Sequence, residues 1–274
     1  MNLLVYRGAE REGRRLTLPA GDRRLRHLAE ILGLKAGGRL RVGCLHGSKG
    51  WARLLEDPDP ARPCPLELEA EEGGVDSPAR PPRDLLLALP RPPALRRILQ
   101  LAPQLGLERI FLVRSARVEK SYLHSPLLSS GEWREHLLLG LEQAGHTRLP
   151  LVLLFERLRP FVTEALPALL PAGGLRLLPH PGAAAGLAAW RGRVAGRPCC
   201  MAVGPEGGWL EGEVELLGAA GFATLGLGPS ILRVEAAVQR LAAQLDLLED
   251  LEGASPAATS GHESTPADGV GGAA

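Results

Sequence analysis

The sequence predicts an α/β protein in which a small β-rich, barrel-like domain precedes a larger domain built on a mostly parallel sheet. Two patterns predict it: short apolar runs separated by glycine and proline near the start, and alternating strand and helix patterns from Asp84 onward. A hydrophobic content of 45% over 274 residues is enough to bury both cores. We expect the domains at residues 1–72 and 84–252, a linker at 73–83 and a disordered tail at 253–274.

The N-terminal domain is predicted from four short apolar runs and one helical segment near residues 27–32. The linker that follows is rich in Gly, Pro and charge and lacks apolar periodicity. The tail is rich in Gly, Ala, Ser, Thr and Pro and cannot bury enough apolar surface to stay ordered. The predicted N-terminal strands are 3–6, 39–45, 51–55 and 66–69.

The C-terminal domain is predicted from strands and helices that alternate along the chain. Such alternation is typical of a mostly parallel sheet with helices on both faces. The predicted strands are 84–89, 110–113, 151–155, 176–178, 199–203 and 223–225. The predicted helices are 94–105, 132–144, 161–169, 210–220 and 234–251.

The net charge of +1 conceals a segregation of charge along the chain. Residues 1–53 carry twelve Lys and Arg against four Asp and Glu, a net charge of +8, whereas residues 54–76 carry one Arg against eight acids, a net charge of −7. A basic N-terminal segment is a candidate surface for a polyanion. Arg-rich exposed faces are also common without phosphate binding, so charge alone leaves both interpretations open.

The cysteines and the apolar runs indicate the compartment. The four cysteines form no CxxC pair, and Cys199 and Cys200 lie in an apolar run, where small buried side chains are the simplest interpretation. No apolar stretch approaches the roughly 20 residues that cross a bilayer. We therefore expect a cytoplasmic protein without a metal site, a disulfide, a secretion signal or a membrane span.

The predicted strand 199–203 ends at a glycine-rich loop with the sequence Gly204-Pro205-Glu206-Gly207-Gly208. Because glycine places no side chain between backbone and ligand and proline fixes its own φ, this loop predicts a stiff, backbone-lined pocket. Glu211 and Glu213 follow in the next helical turn, where they repel phosphate, and no GxGxxG or GxxxxGK motif is present. A nucleotide phosphate is therefore not the expected ligand, and a purely structural loop is the alternative.

Two further predicted strands end in similar loops. Strand 176–178 leads into Pro179-His180-Pro181-Gly182, and strand 223–225 leads through glycine and proline to Arg233 and Glu235 at the start of the last helix. Ligands of parallel sheets gather at the carboxyl ends of strands, so three consecutive strand ends with such loops are more than chance punctuation. Arg233 and Glu235 also fit a simple capping pair.

The glycine-rich loop at 204–209 and the loop at 227–235 together resemble a family signature. Gly204 to Trp209, followed by Leu227-Gly228-x-x-Ile231-Leu232-Arg233-x-Glu235, is similar to the 16S ribosomal RNA uridine-N3 methyltransferases, the RsmE family of the SPOUT superfamily. The resemblance runs from the start of the chain to about Asp250. Its less specific matches are Arg26-His27-Leu28, Ala88-Leu89-Pro90-Arg91, Leu105-Gly106 and Glu142-Gln143-Ala144-Gly145.

The resemblance implies a trefoil-knotted SPOUT domain after a PUA-like, β-barrel RNA-binding domain. It implies a homodimer that uses S-adenosyl-L-methionine to methylate uridine N3 in 16S rRNA of the small ribosomal subunit. Apolar and backbone-lined loops suit the uncharged adenine of that cofactor. The implied cofactor-binding residues are Leu178, His180, Pro181, Gly204, Pro205, Glu206, Gly207, Gly208, Leu227, Gly228, Ile231 and Leu232.

The charge and the resemblance together predict the RNA-binding residues. An aromatic content of 4% leaves few side chains on which bases could stack, beyond Trp51 and Trp209. Recognition through phosphates and shape is therefore favoured. His27 also suits a structural role. The predicted RNA-binding residues are Arg23, Arg24, Arg26, His27, Lys35, Arg39, Arg41 and Arg91.

The predicted catalytic residues are Arg233 and Glu235. Arg233 would orient the uracil or stabilise its charge, and Glu235 would hold Arg233 or accept a proton; a pair that only fixes the loop is the alternative. The chain departs from the family pattern at Ala236, where threonine is usual, and at Gln104, which follows a Pro103 expected to kink its helix. A non-catalytic RNA-binding protein and a methyltransferase acting on a ribose hydroxyl are therefore the alternative functions.

Overall fold

The computed structural model describes residues 1–72 and 80–253, which form two units with one six-stranded sheet each. Residues 73–79 of the predicted linker and residues 254–274 of the predicted tail lie outside the described residues. The two units are called the N-terminal unit (1–72) and the C-terminal unit (80–253) below.

The N-terminal unit is built on a sheet with the strand order β1-β4-β5-β6-β3-β2. All neighbouring strands are antiparallel except β1 and β4. The order leaves β1 and β2 as edges, so the β-rich prediction is confirmed in outline while the hydrogen-bonded sheet is open. The strands are β1 (Leu4–Tyr6), β2 (Arg11–Glu12), β3 (Arg15–Leu18), β4 (Arg39–Cys44), β5 (Lys49–Leu54) and β6 (Cys64–Glu72).

The segment before β4 differs from the prediction in two ways. Strands β2 and β3 were not predicted, because their arginine-rich sequence carries only two apolar residues, Leu16 and Leu18, both fully buried. The helix begins four residues early, as α1 (Arg23–Arg26), and continues as a π-helical turn at His27–Ile31. Its start is set by Asp22, whose Oδ1 accepts the backbone N–H of Arg24 at 2.8 Å.

Arg24 is buried in a cluster of acids at the base of the N-terminal unit. Its guanidinium donates to Asp22 and Glu10 and to the Val5 carbonyl oxygen, the last at 2.8 Å. Burial alone would raise the pKa of Asp22, but the hydrogen bonds from the Arg24 side chain and backbone outweigh it and hold that pKa below its usual value. The charge of Arg24 is therefore neutralised by acids inside the fold.

The C-terminal unit confirms the predicted parallel α/β architecture. Its strand order is β12-β10-β11-β7-β8-β9, and every neighbouring pair is parallel. Every residue of β7 and β11 is buried, so both faces of the sheet centre are covered. The strands are β7 (Arg83–Ala88), β8 (Leu107–Val113), β9 (Leu151–Phe155), β10 (Leu175–Pro179), β11 (Cys199–Val203) and β12 (Ala223–Leu225).

The helices of the C-terminal unit follow the predicted order. One prediction was wrong: Pro103 does not kink helix 94–105, because the helix ends at Leu101 before a proline that has no N–H to donate. Among the described residues, no helix has the length and hydropathy of a membrane span. The helices are α2 (Pro92–Leu101), α3 (Lys120–Leu123), α4 (Pro126–Ser129), α5 (Trp133–Ala144), α6 (Leu158–Pro160), a π-helical turn at Phe161–Ala165, α7 (Leu166–Leu169), a 3-10 turn at Leu187–Trp190, α8 (Glu211–Ala219) and α9 (Val234–Gly253).

Helices α2 and α5 approach each other closely at Gly140. A Cβ atom at this buried position would lie 2.1 Å from the carbonyl oxygen of Gln100. The same contact is flanked by an ion pair between Arg96 and Glu132 at 3.2 Å and by a hydrogen bond between the Gln100 amide and His136 at 3.0 Å. A residue without a side chain is therefore required where the two helices meet.

The two units contact each other through Glu142 on α5. Its backbone oxygen accepts the N–H groups of Asn2 and Leu3, both at 3.1 Å. Its carboxylate, which is 3% exposed, accepts two hydrogen bonds from Arg23 at 2.7 and 3.1 Å. Burial raises the pKa of Glu142, and the Arg23 contacts offset part of that rise. The arginine is thereby committed to the contact between the units.

Substitution of Gly140 tests the α2–α5 contact. We expect Gly140→Ala to lower the free energy of unfolding by about 1–3 kcal/mol, because the new methyl group forces the helices apart. Gly218 on α8 is a matched control, since a Cβ there has no neighbour within 4 Å. Gly218→Ala should leave the stability unchanged or raise it by up to about 1 kcal/mol. Equal urea-denaturation midpoints for both variants would contradict the close approach.

Substitution of Asp22 tests the buried arginine cluster. We expect Asp22→Asn to lower the stability at neutral pH by about 1–3 kcal/mol, because it removes the charged partner of Arg24. The folded pKa of Asp22 is depressed, so its stabilisation is present above the unfolded value, near 4, and is lost as pH falls through the folded pKa. The difference from the wild type should thus shrink below about pH 4. Asp59→Asn, which removes an exposed partner of Arg62, is the control and should change little.

Candidate active site

The three predicted loops lie side by side at one edge of the C-terminal sheet. Strands β12, β10 and β11 are consecutive neighbours and parallel, so their carboxyl ends meet there. The loops after them carry the predicted cofactor residues and the predicted catalytic residues. The sheet therefore brings together segments that are far apart in sequence, as the prediction of one composite site requires.

The loops that follow β10 and β12 are bonded to each other. The N–H of His180 donates to the Leu225 carbonyl at 2.9 Å, and the N–H of Gly226 donates to the Ala185 carbonyl at 2.8 Å. A Cβ at Gly226 would lie 3.1 Å from the Ala183 carbonyl oxygen. A side chain at 226 would therefore require the Ala183 carbonyl to shift slightly, and glycine fits where the two backbone segments meet.

The loop that follows β11 turns back on itself around Trp209. The N–H of Gly208 donates to the Pro205 carbonyl at 2.8 Å, and Gly208 has a φ of 72°. The Trp209 ring lies 3.1 Å from the place of a Cβ at Gly204. Its indole Nε1 is buried without a hydrogen-bond partner among the described residues. The loop thus holds a polar donor that the protein itself does not satisfy.

The loop after β8 reaches across the end of β7 to the β11 loop, which the sequence did not predict. Arg117 donates to the Gly207 carbonyl oxygen, and its Cδ lies 3.2 Å from the place of a Cβ at that glycine. The N–H of Ala116 donates to Glu213 Oε1 at 2.8 Å, and Glu213 Oε2 accepts the N–H of Leu210 at 2.9 Å. The only trace of this contact in the sequence is the charged residue Arg117, which belongs to no recognisable motif.

Arg91 lies at the same edge, on the loop between β7 and α2. Its backbone N–H and its Nε both donate to Glu206 Oε1, at 3.1 and 3.2 Å. The Arg91 side chain is 64% exposed, so the pair is at the surface. The predicted cofactor residue Glu206 and the predicted RNA residue Arg91 are therefore neighbours.

The predicted catalytic residues are placed on the first turn of α9 and just before it. Glu235 is 15% exposed, and its Oε1 contacts Arg97 on α2 at 2.9 Å. Arg233 is exposed, and the ion pairs of the described residues give it no acidic partner. The structure thus pairs Glu235 with Arg97, and the predicted contact in which Glu235 holds Arg233 is not formed.

The remaining predicted cofactor residues differ in their exposure. Leu178 and Leu227 are buried in the core, so the loops offer their backbone. Ile231 is 90% exposed, whereas Leu232 packs against the core. Gly228 has a φ of 109°, and Arg240 lies 2.7 Å from the place of its Cβ. The segment 228–233 is therefore a largely exposed loop that lies against the Arg240 side chain of α9.

The thiols of β11 take no part in chemistry at this edge. Burial raises the pKa of Cys199 to about 12 and the pKa of Cys200 well above its usual range. Both side chains are at most 3% exposed. The prediction of small buried side chains is confirmed for this pair.

A cavity of about 390 Å³ lies at the opposite edge of the sheet, among residues that precede β7, β8 and β9. Its lining includes Arg83, Gln104, Leu107, Arg148 and Pro150. None of the predicted site residues lines it. The candidate site is therefore a set of loops and not this cavity.

The predicted RNA-binding residues of the N-terminal unit do not form one cluster. Arg23 and Arg24 are engaged as described above, and Arg26 faces Glu30 at 4.0 Å. Lys35 pairs with Asp57 at 3.6 Å. His27 Nε2 lies 3.5 Å from the N-terminal amine, and burial, followed by the amine's charge, lowers the pKa of His27. Arg39 and Arg41 lie on a different element, β4, beside Trp51.

Comparison with known proteins agrees with this geometry. Residues 78–246 match a family described as the RNA methyltransferase domain. Ribosomal RNA small subunit methyltransferase E of Treponema pallidum (strain Nichols) is 33% identical over 241 residues, which are 86% of this chain and 87% of that protein. Methyltransferase E 1 of Borreliella burgdorferi is 24% identical over 217 residues, covering 79% and 86%.

Solved structures share the fold. A ribosomal RNA small subunit methyltransferase E from Neisseria gonorrhoeae, bound to S-adenosyl methionine, superposes with a TM-score of 0.71 at 23% identity, covering 90% of this chain and 98% of that one. A Legionella pneumophila protein in complex with the same cofactor has a TM-score of 0.72 at 20% identity, covering 90% and 97%. The resemblance found in the sequence is confirmed: this chain belongs to the ribosomal RNA small subunit methyltransferase E family of RNA methyltransferases.

Proposed function

We propose that this protein transfers a methyl group from S-adenosyl-L-methionine to N3 of a uridine in 16S rRNA. The observation that carries the proposal is the composite edge where the loops after β10, β11 and β12 meet, in a chain of this family. The rRNA of the small ribosomal subunit is the proposed substrate, and the cytoplasm is the proposed compartment.

The residues at this edge fit the cofactor. Backbone groups of closely packed loops and the unsatisfied indole N–H of Trp209 suit the polar atoms of a nucleoside and an amino acid. Glu206 and Glu211 are exposed there, which suits a cation and disfavours a phosphate. When bound, S-adenosyl-L-methionine supplies an electrophilic methyl group on a positively charged sulfur. The loops at Leu178–Pro181, Gly204–Gly208 and Leu227–Leu232 would hold it.

We further propose the finer architecture that the family resemblance implies. Residues 84–252 would form a trefoil-knotted domain, which the parallel bridge between Gly186 and Gly226 supports, because it binds the loops after β10 and β12 together. Residues 1–72 would form a PUA-like barrel. The exposed Ile231, Leu247 and Leu251 support a homodimer, since such apolar side chains gain from burial.

Methylation at N3 requires removal of the N3 proton. Glu235 is the proposed proton acceptor, since its ion partner is Arg97 and its carboxylate is not used to hold Arg233. Arg233, which has no acidic partner among the described residues, would stabilise the negative charge that develops on the uracil. Arg97 acts through Glu235 and is a positioning residue.

RNA recognition is proposed to involve exposed cations of the N-terminal unit, namely Arg26, Lys35, Arg39 and Arg41, together with His27. Arg91, at the edge of the C-terminal sheet where the three loops meet, is proposed to take part as well. Arg23 and Arg24 contribute to the electrostatic field, but their guanidinium groups are engaged with Glu142, Asp22 and Glu10. Phosphate contacts should make binding depend strongly on salt.

The substrate and the product can be tested together. We expect the purified protein to bind S-adenosyl-L-methionine in calorimetry and to convert one uridine of unmodified small subunits to N3-methyluridine, detected by nucleoside mass spectrometry. A strain that lacks the gene should lose the same nucleoside. Methylation of a ribose hydroxyl would contradict the N3 assignment, and RNA binding without cofactor binding would favour the non-catalytic alternative.

Substitutions at Glu235, Arg233 and Arg97 test the roles proposed for these residues in methyl transfer. We expect Glu235→Gln to lower the single-turnover rate by roughly a hundredfold or more, the usual contribution of a general base, with cofactor affinity unchanged. Arg233→Lys and Arg97→Gln should lower it less. Arg96→Gln is the matched control, because Arg96 is on the same helix and pairs with Glu132 at 3.2 Å, away from Glu235. Equal rates for the Glu235 variant and the wild type would end the catalytic assignment.

A further inference from the structure

The outer face of the N-terminal sheet places an aromatic ring among arginines. On β4, Leu40 and Val42 are buried whereas Arg39 and Arg41 are exposed. On β5, Ala52 and Leu54 are buried, so Trp51 and Arg53 point to the same outer face. We call Arg39, Arg41, Trp51 and Arg53, with Glu69 of β6, the Trp51 face.

The strand register brings these side chains into contact. Arg41 is directly opposite Trp51, and Arg39 is opposite Arg53. The guanidinium carbons of Arg39 and Arg41 lie 4.9 and 5.8 Å from the centroid of the Trp51 ring. The pairing of β5 with β6 shifts register between Gly50 and Ala52, and such irregularities redirect the side chain beside them. The half-buried ring is therefore set into the face by cross-strand neighbours.

A single carboxylate organises the cations of this face. Glu69 contacts Arg39 at 2.7 Å and Arg53 at 3.0 Å. The Arg39 hydrogen bond is the main reason that the pKa of Glu69 lies below its usual value. Among the side chains that the structure describes, this face carries three arginines and one acid. In the same cross-strand row as Arg39 and Arg53, Glu67 and Arg15 oppose each other across β6 and β3 and add no net charge.

We propose that the Trp51 face binds single-stranded RNA, with one unpaired base stacked on Trp51 and the flanking phosphates on Arg41 and Arg39. The inference rests on the proposed function, because it takes the substrate to be RNA. A positive groove with an aromatic ring is the recognised chemistry of single-strand binding, since every base has a π face and every nucleotide a phosphate. A duplex hides its base faces and would satisfy the arginines only. The face thus adds base stacking to recognition that the sequence predicted through phosphates and shape.

Substitution of Trp51 tests the stacking. We expect Trp51→Ala to weaken binding of a labelled, mixed-sequence single-stranded oligoribonucleotide about tenfold, equivalent to about 1.4 kcal/mol, in fluorescence anisotropy. Trp51→Phe should recover most of the loss, because it restores an aromatic face. The same strand annealed to its complement should bind the wild type more weakly and lose little when Trp51 is replaced.

Trp190→Ala is the matched control, since Trp190 has Arg193 5.0 Å from its ring but belongs to the C-terminal unit. It should leave the affinity unchanged. Arg41→Gln should lower the affinity and reduce the salt slope by about 0.7, the share of one single-strand phosphate. Circular dichroism checks the fold of each variant. If Trp51→Ala fails to fold, Trp51→Phe and Arg41→Gln keep the test decisive.

Three outcomes would overturn the inference: Trp51→Ala binding as tightly as the wild type, an equal loss with Trp190→Ala, or duplex binding as tight as single-strand binding. Equal competition by polyglutamate and by RNA would also overturn it, because charge alone would then explain the binding. Methyl transfer is measured separately. A wild type that binds RNA through Trp51 but transfers no methyl group would overturn the proposed function and leave this inference standing.

Discussion

The approach of two backbone segments at Gly226 is the constraint on which the candidate site depends. The loops after β10 and β12 are joined by hydrogen bonds of 2.8 and 2.9 Å, and a β-carbon at 226 would lie 3.1 Å from the Ala183 carbonyl oxygen. That oxygen would have to move by a few tenths of an ångström to accommodate a side chain. Because β11 is bonded to β10 on the other side, the third loop shares the same frame. A pocket lined by backbone atoms requires segments of the chain to approach each other as closely as these two loops do.

Arginine side chains from the loops after β7 and β8 and from α2 complete that frame. Arg91 joins the β7 loop to Glu206, Arg117 joins the β8 loop to Gly207, and Arg97 joins α2 to Glu235. Each arginine connects a segment early in the C-terminal unit to the loop after β11 or to the start of α9. Exposed ion pairs contribute little free energy individually, so their role here is to orient. The site is therefore organised by contacts across the sheet as well as by the loops themselves.

The sequence predicted the parallel sheet and its loops well because both depend on local patterns. Short apolar runs mark strands, and β9, β11 and β12 were predicted without error in their bounds, although only β11 is fully buried. Side-chain partners depend on the register of distant strands, which a single sequence does not reveal. Arg97, Arg117 and the burial of Arg24 were missed for that reason. Strands β2 and β3 were not predicted because their arginine-rich sequence obscures the alternation of apolar and polar residues that marks a strand.

The contact at Glu142 has a consequence for the shape of the substrate. Rotating one unit against the other would break two backbone hydrogen bonds and expose a carboxylate that is paired with Arg23. Each hydrogen bond lost in this way contributes on the order of 1 kcal/mol, so the contact opposes such a rotation. It therefore favours one separation between the Trp51 face and the loops at the sheet edge. An RNA that touches both must present its two contact points at that distance, which a folded RNA holds constant and a flexible strand does not.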